Sequence, residues 1–337
     1  MKHGSCLLLI AVSLLLSTSC FASTREEVVS RGHVRCGVSP GSPGFSSVDS
    51  AGKWTGLDVD LCRAVAAATL ADADRVEYLP LADNEAFTAL LTGEVDLLAR
   101  QSSWTFSRDA DLAVNFAGIS YYDGQGFLVS KKLNVKNARE LKRVRVCSPV
   151  ALLFTDNLLD YFERTGVEFR LVPYDTLDLA IKGFASDGCD LLSLPQSQLY
   201  GLRLRLTDQE SALILPEVIS REPLGPVVRH GDDAWLDIVS WALLAMLNAE
   251  ELGVTSRNVD EMRRSNSLAI KQFFGLVEIG GRSLGLSTDW AVQIISQVGN
   301  YGEVYLRHFG PESALKIDRG LNKLWNQGGL HYPPPLR

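Results

Sequence analysis

Two guanidiniums, one amide, four hydroxyls and one indole fall within the thirteen residues Asp96 to Arg108, DLLARQSSWTFSR. That mixture suits the capture of a small anion better than the breaking of a bond. Arg108 can hold a carboxylate through two parallel N–H donors. Arg100 is the second guanidinium, and Gln101, Ser102, Ser103 and backbone N–H groups can supply further donors. A solvated turn in which Arg108 pairs with Asp109 or Asp111 would use the same residues without any ligand. Trp104 can lie over the apolar part of a ligand or pack into a core. The loop Ser39 to Ser47, SPGSPGFSS, can bring backbone close to a ligand or merely connect two elements.

No catalytic constellation accompanies these residues. His33, His230, His308 and His331 are scattered, without HExxH or another metal-ligand spacing. There is no GxSxG elbow, no P-loop, and no GxGxxG at a strand–helix junction. Gly124-Gln125-Gly126 precedes a strand and reads as a hinge turn. The expectation is a binding protein, not an enzyme, with no metal and no cofactor.

The elements that must position the Arg108 segment are legible in the periodicity. Residues 33–38 read as a strand, a helix begins near Asp58, and Val76 to Leu79 is a strand. Asn84 to Leu91 is a helix and Val95 to Leu98 a buried strand. The order then restarts. Arg143 to Cys147, Val167 to Val172 and Asp190 to Leu192 are strands, separated by helices at Asp156 to Arg164 and Leu177 to Phe184. Phe87 to Gln101 echoes Ala180 to Gln196 weakly. Such an order predicts two α/β lobes of like topology with largely parallel sheets. Extended links at Tyr122 to Val129 and Leu213 to Pro226 give a hinge of two crossings. Ligands on such sheets sit beyond the carboxyl ends of the strands, so two facing lobes make a cleft. Trp235 to Leu252 is an amphipathic helix, and a further helical layer spans about Thr288 to Trp325. The predicted division is lobe 1 at 23–123 and 225–337, including a C-terminal helical extension, and lobe 2 at 124–224.

Residues 1–22 read as a signal peptide: Lys2, then the apolar run Cys6 to Leu16, then Ser17 to Ala22. A run of eleven residues is too short to span a bilayer. Cleavage after Ala22 is the plain expectation, with lipidation of Cys20 as the alternative. The remainder, about 315 residues, exceeds what one core usually holds. Of the 33 basic side chains Lys2 leaves with the leader, so 32 oppose 40 acidic ones, a net −8. An acidic, evenly mixed surface argues against nucleic acid or an anionic membrane as the main partner. Four cysteines remain after the leader, Cys36, Cys62, Cys147 and Cys189, and four allow three pairings.

Several long stretches resemble the general L-amino-acid-binding periplasmic proteins of polar amino-acid ABC uptake systems. They include Gly56 to Val65 (GLDVDLCRAV), Gly93 to Leu98 (GEVDLL), Asn115 to Gly118 (NFAG) and Tyr121 to Phe127 (YYDGQGF). Glu222 to Arg229 (EPLGPVVR), Asn248 to Gly253 (NAEELG), Val298 to Glu303 (VGNYGE), Leu321 to Trp325 and Gly328 to Leu330 continue the match. The resemblance implies a type II-like periplasmic binding protein fold of two α/β lobes with a two-crossing hinge. It also implies a periplasmic monomer that hands a small carboxylate-bearing solute to an inner-membrane ABC permease. It pairs Cys36 with Cys62 and Cys147 with Cys189. It makes Arg108 the clamp on the ligand α-carboxylate, with Ser103 beside it. Gln101 falls where the family has a small polar pocket residue, and Ser39 where it has a first-lobe Asn or Asp.

The second lobe departs from that pattern. A Gly-Thr-Thr-Thr/Gln-Glu turn is replaced by Ala151-Leu152-Leu153-Phe154-Thr155, and Pro195 stands where the family has the Asp that receives the α-ammonium. An ammonium buried without its carboxylate loses about 3–5 kcal/mol, or roughly two to three orders of magnitude in affinity. Asp123, Asp156 or Asp175 would have to take that place. A ligand lacking the ammonium, or with a more apolar body, therefore stands beside an ordinary amino acid. Two other functions compete: a repurposed sensor, partner-docking or structural module in which Leu152, Leu153 and Phe154 seal the cleft or contact a partner, and a dehydratase-like enzyme on the same scaffold.

Overall fold

The echo between the two halves has a structural cause. A computed structural model describes residues 23–149, 155–277 and 281–336. The leader and the second-lobe residues Ala151, Leu152, Leu153 and Phe154 lie outside the described residues. In the first lobe, α1 (Thr24–Arg31) leads into β1 (Val34–Val38), then a short hairpin of β2 (Ser47–Val48) and β3 (Trp54–Thr55). Next come α2 (Leu57–Leu70), β4 (Val76–Pro80), α3 (Asp83–Leu91), β5 (Leu97–Ser103), α4 (Phe106–Asp111), β6 (Val114–Phe116) and β7 (Tyr121–Asp123). The second lobe holds β8 (Gln125–Ser130), β9 (Arg143–Pro149), α5 (Thr155–Thr165), β10 (Glu168–Tyr174) and α6 (Leu177–Ala185). It continues through β11 (Leu191–Pro195), α7 (Gln196–Arg203) and β12 (Ala212–Ile214), and β13 (Glu222–Arg229) returns to the first sheet.

One sheet runs β4-β1-β5-β13-β6, with β7 also on β13; the other runs β10-β9-β11-β8-β12. The triplets β4-β1-β5 and β10-β9-β11 are parallel and equivalent in order. Each repeats the same acidic lock. Asp96 accepts the backbone N–H of Arg35 at 2.7 Å and donates its own N–H to Arg35 O. Asp190 does the same with Arg145, also at 2.7 Å. The Asp-Leu-Leu repeat is thus an edge acid that sets the register of two buried strands.

The sheets are more mixed than the largely parallel reading. β13 is antiparallel to β5, β6 and β7, and β8 is antiparallel to β11 and β12. The strands that cross between lobes arrive from the opposite side, so they cannot continue the parallel order. β5 also runs five residues beyond Leu98, because pairing with β13 extends to Ser103.

Cys36 on β1 bonds Cys62 on α2, and Cys147 on β9 bonds Cys189, with Cα separations of 6.2 and 5.5 Å. Closing loops of 26 and 42 residues contributes about 3.5 and 4 kcal/mol in the chain-entropy model.

The chain after β13 packs into the first lobe's core. α8 (Asp233–Glu251) is capped by Asp232 and buries Trp235, whose indole N–H donates to Asp96 O at 2.9 Å. Short α9 (Val259–Met262) and α10 (Leu268–Phe273) precede α11 (Trp290–Gln297) and α12 (Tyr301–His308). The helical layer ends at His308 rather than near Trp325, because Gly310-Pro311 stops it. Beyond Pro311 the chain forms a strap of turns that braces the first hinge crossing. Asn322 binds both Tyr122 N–H (2.7 Å) and Tyr122 C=O (3.1 Å), and Tyr301 donates its hydroxyl to Ser120 O at 2.8 Å. Among the described residues, no helix is long and apolar enough to cross a membrane.

Candidate functional site

Three parallel strands of the first sheet deliver their carboxyl ends to one place. Ser39 follows β1, Asp83 follows β4, and Arg100 to Ser103 end β5. They line a cleft of about 430 Å³ together with Arg108, Asp123 and Glu222. The opposite wall comes from the second lobe, with Pro195 at the end of β11 and Gln198 on α7. The Ser39 loop is held as a wall by its own backbone. Gly44 O and Phe45 O accept the N–H groups of Leu57 and Asp58, which satisfies donors that open the helix α2. Gly56 is required there, since a Cβ would meet Phe45 O at 2.0 Å. The Ser39 hydroxyl donates to Arg100 O at 3.2 Å, tying β1 to β5 above the cleft.

Arg108 is half-buried on α4, where Thr105 caps the helix by accepting Arg108 N–H. Its guanidinium donates to Ser103 O at 2.9 Å and lies over the Phe87 ring at 5.6 Å. Among the described residues it makes no ion pair with Asp109, Asp111 or any other acid. Burial lowers its pKa, partly offset by Asp83 and Glu222 nearby. Arg100 is more committed: it binds Asp83 at 2.5 Å and Leu81 O at 3.2 Å. Its Nε, and the Ser102 hydroxyl, are buried without a partner among the described residues. Gln101 adopts a left-handed backbone at φ 58°, where β5 and β13 lose register.

Behind Gln101 lies Asp58, which is 2% exposed. Burial pushes its carboxyl up to about 7 against the pull of Arg100. The folded value lies above the unfolded one, so the neutral acid stabilises the fold. That contribution is full below about pH 3.8 and is lost as pH rises through about 7. The thermal midpoint of the ligand-free protein is therefore expected to fall between pH 5 and pH 8, and Asp58→Asn to flatten that fall. The effect is on the order of a few kcal/mol. Equal slopes for wild type and variant in thermal melts would exclude this origin.

Of the two readings of Trp104, packing fits the structure: the indole stacks on Phe116 at 5.2 Å and does not line the cleft. Asp156 and Asp175 are exposed and do not reach the cleft. Asp123 does, and so does Glu222, to which the sequence pattern assigns no role. Asp123 is enclosed by protein while keeping surface on the cleft. It accepts Gly124 N–H at 2.9 Å, Ser197 N–H at 3.3 Å and the Ser197 hydroxyl. Burial pushes its carboxyl up to about 6. No group of three or more metal-ligating side chains occurs among the described residues.

Residues 34–258 match the family model described as bacterial extracellular solute-binding proteins, family 3. The general L-amino acid-binding periplasmic protein AapJ of Rhizobium johnstonii is 46% identical over 330 residues, 97% of this chain and 96% of that one. The putative amino-acid ABC transporter-binding protein YhdW of Escherichia coli K12 is 47% identical over 341 residues, the whole of both chains. Among solved structures, an ABC transporter periplasmic binding protein from Brucella ovis with glutathione bound is 44% identical. It superposes with a TM-score of 0.86 over 94% of this chain and 100% of that one.

Proposed function

The chain belongs to the bacterial extracellular solute-binding proteins, family 3, and from that premise we propose that it captures a small carboxylate-bearing solute in the inter-lobe cleft through Arg108. The observation that carries this reading is a half-buried guanidinium that, among the described residues, has no acidic ion-pair partner and lines the inter-lobe cleft. A desolvated cation left alone is costly, and a ligand carboxylate relieves that cost. Ser102 and Ser103, with Gln101 and Arg100, complete the donor set, and Ser39 closes the wall. The lobes divide at 23–123 with 225–337 against 124–224, and the solute passes to an ABC permease by lobe opening, without chemistry. Residues 1–22 direct export to the periplasm. The amino acids and glutathione named for the relatives all carry a carboxylate, which fits this class.

Native mass spectrometry of protein purified from its own periplasm tests the reading, joined to a thermal-shift screen of amino acids, organic acids and glutathione. A carboxylate-bearing molecule should co-purify. At a hundredfold excess over Kd it should stabilise the fold by about 2.7 kcal/mol. No co-purifying mass and no hit in the screen would sink the reading and favour a docking role.

A further inference from the structure

Pro195 cannot receive an ammonium, yet the cleft is not short of negative charge. Asp123 on β7 and Glu222 on β13 are direct partners in the antiparallel ladder. Residues so placed bring their Cβ atoms to about 5 Å, and like charges there repel. Neither forms an ion pair with a basic group among the described residues. Asp123 already holds three donors and fixes the start of α7. Glu222 is different: Oε1 accepts the Ser220 hydroxyl at 3.0 Å, and Oε2 has no hydrogen bond among the described residues.

Arg108 faces the same cavity and, among the described residues, forms no ion pair. Its charge feels Asp83 and then Glu222, but it pairs with neither, so a gap separates it from each. Arg100 is already matched by Asp83. Among the described residues, one cation without an ion pair, Arg108, and two carboxylates without one, Asp123 and Glu222, line the cleft with the unpartnered Ser102 hydroxyl, and of the two carboxylates Glu222 keeps an oxygen free. Together they describe the complement of a zwitterion. Building on the reading that Arg108 clamps a carboxylate, we infer that Glu222 receives the ligand's α-ammonium from the hinge, with Asp123 reinforcing its field. The ammonium would then be held on the cleft floor, where the two hinge crossings pair.

Isothermal titration separates the two claims. The probes are L-glutamine against glutaramate, and glutathione against glutaryl-cysteinyl-glycine; each pair differs by the amino group alone. The wild type should prefer each zwitterion by about 30-fold or more. Glu222→Gln should erase that preference by weakening the zwitterion, leaving the des-amino probe within about threefold. Asp123→Asn should reduce the preference less. Arg108→Ala should weaken all four probes. Equal wild-type affinity within both pairs overturns the assignment without needing any variant, and so does a preference that survives Glu222→Gln. If Arg108→Ala still weakens the probes in those cases, the carboxylate reading stands. Failure of the wild type to bind either zwitterion overturns the assignment; binding of the des-amino acids through Arg108 would then preserve the carboxylate reading alone.

Discussion

Arg108→Ala is expected to weaken capture of the carboxylate-bearing solute by about two to three orders of magnitude while leaving the thermal midpoint of the empty protein almost unchanged. The size follows from removing one member of a desolvated, hydrogen-bonded charge pair, about 3–5 kcal/mol, at about 1.4 kcal/mol per tenfold. The stability follows from how little Arg108 does for the empty fold. Its side chain makes one bond to Ser103 O and covers the face of Phe87. Its helix is capped by Thr105 through a backbone N–H that alanine keeps. Arg108→Lys should fall between the two, because an ammonium cannot offer the paired donors of a guanidinium. Arg100→Ala makes the useful contrast. Losing the Asp83 and Leu81 contacts should lower stability as well as affinity. Unchanged binding by Arg108→Ala, measured by titration calorimetry, would remove the clamp from this cleft.

The first lobe was legible in sequence because its signals are local. A buried strand followed by Arg100-Gln101-Ser102-Ser103 and Arg108 places donors at a strand end, which is where a parallel sheet presents a ligand. The Asp96 and Asp190 echo was legible for the same reason, since each acid immediately precedes its strand. The cleft floor was not. Glu222 meets Asp123 because two hinge crossings nearly a hundred residues apart pair antiparallel, and no periodicity reports that pairing. Trp104 stayed open because an indole beside polar residues looks the same whether it covers a ligand or stacks on Phe116. The strap after His308 misled because its apolar residues keep a roughly helical spacing after Gly310-Pro311 has ended the helix. Ala151 to Phe154, the stretch that departs most from the family, lies outside the described residues.

Gly225→Ala should cost more stability than any surface change in the molecule, and the reason joins the fold to the site. Gly225 sits on β13 opposite Ser102, just before the register shift that turns Gln101 to its left-handed backbone. The segment before β7 lies directly against it. Ala117 N–H donates to Pro226 O at 2.9 Å, and Ser120 N–H donates to Leu224 O at 2.8 Å, so two backbone bonds straddle the glycine. Between them Gly118 O lies 1.9 Å from where a Cβ would stand. A carbonyl pinned on both sides cannot step back as a side chain would, so at least one of those bonds must break. The loss is then about 4 kcal/mol or more, and at about 2–4 °C per kcal/mol the midpoint falls by on the order of 10 °C. Gly231→Ala separates this clash from ordinary backbone strain. Gly231 needs φ of 81°, a strain that Gly225 does not carry, and nothing lies within 4 Å of its Cβ position, so the cost there is about 1–2 kcal/mol. Comparable midpoints for the two variants would mean that the carbonyl of Gly118 can move. The β5–β13 seam that presents Ser102 and Ser103 would then be more compliant than its hydrogen bonds imply.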